Sequence, residues 1–115
     1  MTQLSTLVND INDTQVIEEN VYKLAEYVKN DYIQRWNNKE YNVSVKKGRK
    51  YYKVITENSV HAFVDVKNGN VFKPESWNKP ASYNKPAIHV RFNLLQDPQD
   101  CFNKCDCNGS YLYLR

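Results

Sequence analysis

The apolar spacing of this chain changes period once, between Tyr32 and Tyr41, and that change restricts the fold more than any other feature. Ile17, Val21, Leu24, Ala25, Val28 and Tyr32 recur at near-helical spacing for about four turns, which makes one apolar stripe. From Tyr41 onward the apolar residues alternate instead. Tyr41, Val43 and Val45 alternate with Asn42 and Ser44, Lys50-Tyr-Tyr-Lys-Val-Ile-Thr56 follows, and Val60, Ala62, Val64 and Val66 oppose His61, Phe63 and Asp65. A one-faced helix followed by half-buried strands packs most simply as a helix lying across an antiparallel sheet. The expected fold is α+β, with N-terminal helices packed on an antiparallel sheet of four to five strands.

Local signals place the boundaries. Leu4, Leu7, Val8 and Ile11 predict a short helix of their own, with Asp13 or Thr14 capping a second one that ends at Asn37-Asn38-Lys39. Lys47-Gly48-Arg49 and Asn68-Gly69 read as hairpin turns. Pro80 and Pro86 each remove a backbone donor and push the preceding lysine into extended geometry, so 74–87 reads as a Pro-rich loop. Ile88 to Leu95 resumes alternation, with a short helix entered after Pro86 as the alternative. Residues 99–106 suit one or two helical turns, and Tyr111 to Arg115 a terminal strand. At 115 residues the chain is expected to be a single domain, 1–38 helical and 41–115 sheet.

Several functional classes fit poorly. No apolar run approaches the roughly 20 residues that span a bilayer, and MTQLSTLVNDIND lacks the basic start and apolar stretch of a signal peptide, so no membrane partner and a cytosolic location are expected. Cys101, Cys105 and Cys107 are an odd number crowded into seven residues, which argues for reduced thiols over a disulfide framework. Their C-x3-C-x-C spacing is not that of a zinc finger or ribbon, and a fourth ligand would have to be His61, His89 or an aspartate, so no metal or other cofactor is expected. Gly48, Gly69 and Gly109 are too few for a phosphate cradle, and no nucleophile elbow is present, which weighs against an enzyme.

Two surfaces carry binding chemistry. Lys46, Lys47, Arg49, Lys50, Tyr51 and Lys53 interleave cations with an aromatic, the combination that tracks a phosphate backbone and stacks bases. The competing reading is a hairpin tip kept soluble by lysines, with Tyr52 packed inward beside Val54. The second surface is SWNKPASYNKPA, residues 76–87, one phrase said twice. Either Trp77 and Tyr83 face the same way roughly 19 Å apart along a polyproline-like path, or a loop has been duplicated and one copy anchors it.

Gly69-Asn-Val-Phe-Lys-Pro-Glu-Ser-Trp-Asn-Lys-Pro-Ala81, with His89-Val-Arg-Phe-Asn-Leu-Leu95, Ser59-Val-His-Ala-Phe-Val-Asp65 and the ending Gly109 to Arg115, resembles small uncharacterised proteins of tailed phages, including cyanophages. That family pattern carries Ser-Trp-x-x-Pro-Ala once, so Trp77 holds the family position and Tyr83 belongs to a six-residue insertion. The resemblance implies a phage origin and expression in the host cytoplasm, without implying an activity. The residues themselves suggest a site where the segment returns to the sheet, gathering Lys73, Trp77, His89, Arg91 and Asn93 around a nucleotide-like or phosphorylated ligand. The first expectation is thus a non-enzymatic accessory protein that binds such a small molecule, for instance to sequester a host defence signal. Nucleic-acid binding by the 46–53 hairpin is the alternative, and contact with a host protein or a virion role is the third. Oligomeric state is left open.

Overall fold

The computed structural model of the chain describes residues 2–37, 40–57, 59–81 and 90–112, with side chains from residue 13 onward. The N-terminal segment is one helix, α1, Thr2–Trp36, rather than two. No Gly or Pro interrupts the chain between Thr2 and Trp36, so the polar Asn12-Asp13-Thr14 that resembled a cap is carried along although the apolar stripe shifts its face there. The helix ends at Asn37, which takes a left-handed φ of 51° and donates its N–H to the Ile33 carbonyl.

Five strands form the main sheet: β1 Val43–Lys47, β2 Tyr51–Thr56, β3 Ser59–Asp65, β4 Asn70–Phe72 and β7 Phe92–Asn93, in the order β1-β2-β3-β4-β7 with every pairing antiparallel. The fold is α+β. Ile17, Val21, Leu24 and Val28 of α1 are fully buried against Tyr52, Val54, Ala62, Val64 and Val71. Burial on this scale contributes roughly 1.5–3 kcal/mol per large side chain relative to exposure, which is why a helix stripe and a strand face suffice as a core. Asn20 sits within the stripe, nearly buried, because its amide donates to the Leu94 carbonyl at 2.6 Å.

Three parts of the chain differ from their sequence reading. The stretch after Pro74 contains a small second sheet, β5 Pro74–Ser76 with β6 Lys79–Pro80, where a plain loop was expected. Pro74 and Pro80 lie opposite each other, and proline is tolerated in so short an edge pair. Of the expected 88–95 strand, residues 88 and 89 lie outside the described residues, and within 90–95 only β7 is strand, because Leu94 to Gln96 turn at once into α2, Pro98–Lys104. Asp97 caps α2 by accepting the Asp100 N–H. The expected terminal strand begins as a 3-10 turn, Ser110–Leu112, whose Tyr111 and Leu112 close the core.

One register irregularity matters for the site. Val54 pairs with Ala62 but Ile55 pairs with Val60, so His61 is an extra residue in a β-bulge. Strict alternation would set His61 opposite Ala62; the bulge lets both be buried.

Candidate functional site

On β2 the alternation that sends Tyr52 and Val54 into the core leaves Tyr51 and Lys53 on the opposite face. Cross-strand pairing lines up Lys46, Lys53, Phe63 and Phe72 across β1 to β4 on that same face. Tyr51 meets Phe63 edge-on at 5.8 Å between ring centroids and Phe72 at 6.2 Å, so an aromatic cluster occupies the far side of the sheet. This explains why β3 is buried on four consecutive residues where alternation predicts every second one.

The β5–β6 hairpin folds back so that its turn reaches β2. Lys53 Nζ stands 5.1 Å from the Trp77 ring centroid and donates to Asn78 Oδ1 at 3.0 Å, with the Phe63 ring 5.9 Å away. Trp77 nevertheless keeps 47% of its surface exposed. The two surfaces that looked separate in sequence, the basic hairpin and the first copy of the repeat, are therefore one. Lys50 joins them, its Nζ 5.4 Å from the Tyr51 ring. Lys46 and Lys53 pair directly across β1 and β2, and like charges in that position repel, a cost that a bound anion would offset. Lys47 belongs elsewhere: it pairs with Tyr52 and its Nζ is 5.7 Å from that core-side ring. Arg49 is exposed at the turn.

The remaining members of the expected pocket are dispersed. Asn93 is a structural clamp: its amide donates to the Asn68 carbonyl and Asn70 Oδ1, and its Oδ1 accepts the N–H groups of Leu95 and Gln96, all within 2.8 Å. Lys73 links β4 to β5 and its carbonyl accepts the Ala81 N–H. Arg91 borders a cavity beside α2. His89 and the 82–87 copy of the repeat lie outside the described residues.

The bulged His61 shares a 2.7 Å hydrogen bond between Nε2 and the Tyr111 hydroxyl. Burial pushes the imidazole down to about 4, so it is neutral at pH 7, and burial raises the Tyr111 phenol well above its ordinary value. A cavity of about 320 Å³ lies beside it, lined by Thr56, Ser59 and Cys107 among others. Desolvation raises all three thiols: Cys101 strongly, Cys105 up to about 11, and Cys107 through burial and then Asp31 beside it. A thiol activated as a nucleophile shows the opposite shift; all three are free, Cys101 and Cys107 buried and Cys105 half-buried. Among the described residues no His, Cys, Asp and Glu group is placed to hold a metal ion.

Fold and site together define a small α+β domain whose sheet is covered by a helix on one face and presents aromatics and lysines on the other. The chain belongs to a family of unknown function (DUF7717), which matches residues 4–114. No curated protein and no solved structure gave a significant match. No helix among the described residues is long and apolar enough to cross a membrane.

Proposed function

We propose that the protein binds single-stranded nucleic acid across the outer face of its sheet. The observation that carries this reading is the half-exposed Trp77 held beside Lys53, on a face where Lys46 and Lys53 oppose each other without an intervening acid. Trp77 and Tyr51 offer π-faces to bases, while Lys46, Lys50 and Lys53 follow the phosphates. A mononucleotide is the smallest occupant with this chemistry, one base on Trp77 and one phosphate at Lys53. The small-ligand expectation thereby moves from the Lys73, Trp77, His89, Arg91 and Asn93 set to the Trp77 and Lys53 pair. A duplex is a poorer match because its bases are stacked internally and cannot lie on a side-chain ring. The sequence resemblance supports a phage origin, and the lack of catalytic signatures in the sequence supports reading the protein as an accessory factor that binds without catalysis.

Anisotropy of labelled single-stranded DNA and RNA 12-mers, titrated at several salt concentrations, tests the proposal. Three phosphate contacts give a slope of log K against log salt of about −2 for a single strand. Reversing Lys46 and Lys53 to Glu should flatten the slope and weaken binding, whereas reversing Lys47 should do less. Salt-insensitive binding, preference for duplex, or no binding at low salt would reject the reading.

A further inference from the structure

Arg91 immediately precedes β7 and is half-buried. Its Nε is closed off from water and, among the described residues, it has no hydrogen-bond partner and neither ion pair includes its guanidinium. A guanidinium in that condition is costly, because part of its hydration has been removed and no acceptor replaces it. Space for an acceptor is present: Arg91 borders a cavity of about 580 Å³, with Phe92 and Tyr111 in its lining. The other charged groups along this cavity have partners already. Lys104 Nζ is 2.8 Å from Asp100 Oδ1, and Asp106 accepts the Gly109 N–H at 2.7 Å and the Ser110 hydroxyl at 2.8 Å.

We infer that this cavity is a second binding site, separate from the sheet face, for a small flat organic carboxylate whose oxyanion pairs with Arg91 and whose body lies against Phe92 and Tyr111. The volume suits a small molecule, and a guanidinium binds a carboxylate through two parallel N–H donors. Asp106 limits the ligand's charge. Lys104 offsets Asp100, and the carboxylate of Asp106 repels a dianion more than a monoanion, which favours a carboxylate over a phosphate monoester.

The chain holds four arginines, so the Arg91 side-chain Nε–H signal of the 15N-labelled full chain can be identified by its loss in Arg91→Lys. Titration with benzoate should shift that signal saturably, phenyl phosphate should bind more weakly, and neutral benzamide should leave it in place. Arg91→Lys should weaken benzoate binding about tenfold, since it keeps the charge and loses the two-point geometry. Arg91→Met should abolish the benzoate site and melt at or above the parent temperature, because it replaces an unpaired, half-buried charge with an apolar chain of similar length. The assignment is overturned if neither anion saturates or if benzamide shifts the signal equally. A melting temperature several degrees lower for Arg91→Met would also overturn it, because the guanidinium would then have a structural partner. Tighter binding of phenyl phosphate than of benzoate would refute the monoanion preference.

Discussion

His61 shows how one residue's environment sets a property of the whole fold. Its folded-state value of about 4 lies below the ordinary 6.5, so between these limits the unfolded chain binds more protons than the folded one. Stability is therefore complete above pH 6.5 and falls as pH drops toward 4, by roughly 3 kcal/mol across the window. Asp31 behaves differently. Burial raises its carboxyl, but the Cys107 N–H at 2.8 Å and Arg35 at 2.9 Å outweigh burial and leave it below its ordinary 3.8, so its contribution is lost only at lower pH. Thermal melts from pH 7 to 4.5 should thus show a decline that His61→Gln removes; an equal decline in the variant would reject the assignment. Gly69 is a second constrained residue, with φ at 79° and an added Cβ falling 2.9 Å from the Leu95 backbone nitrogen. Gly69→Ala should cost roughly 1–3 kcal/mol in urea denaturation, because strain and a backbone clash coincide. Asn93→Ala should destabilise by roughly 1–3 kcal/mol while leaving oligonucleotide affinity unchanged, since both ends of its amide are already committed to tying the turn together. Sequence alone ranked Asn93 as a ligand residue because an amide near an arginine and a tryptophan looks the same whether it holds a ligand or a loop.

At the scale of elements, periodicity carried the prediction where it was sustained. The Ile17 to Val28 stripe and the β2 alternation gave the helix, the sheet and the core residues Tyr52 and Val54 directly. Phe63 was already assigned to the face opposite the core, which is where the aromatic cluster forms. What periodicity missed was non-local. The bulge at His61 arises from pairing, not from composition, and the β5–β6 hairpin is held by contacts with β3 that no local spacing announces. The Lys53 and Trp77 pairing joins residues 24 positions apart, an outward position of β2 and the turn of the β5–β6 hairpin, and no local spacing links them. The hairpin also separates stability from binding. Trp77→Ala should lower the melting temperature little, because the ring is half exposed, yet weaken oligonucleotide binding by about tenfold, the loss of one stacked base. Deleting residues 82–87 should leave both quantities largely intact; loss of either would mean that the second copy of the repeat is not a passive insertion.

Across the whole molecule, α1 and the outer sheet face divide the labour. The helix supplies most of the apolar burial on one side, and the small β5–β6 sheet supplies enough cover on the other to bury Phe63 and Phe72 while leaving Trp77 accessible. Charge follows the same division. Residues 1–20 carry acids without lysine or arginine, whereas 46–53 carry five cations without an acid, of which Lys46, Lys50 and Lys53 lie beside the outer-face aromatics. In the proposed function Trp77 acts together with Lys53. Trp36 is 62% exposed at the far end of α1, so Trp36→Phe leaves Trp77 as the sole fluorophore of its type at little cost to the fold. Titrating this variant with oligothymidine at low salt should quench Trp77 emission saturably, and Lys53→Glu in the same background should abolish the quench. Saturable binding by anisotropy with no change in Trp77 emission, or a quench that survives Lys53→Glu, would contradict the account.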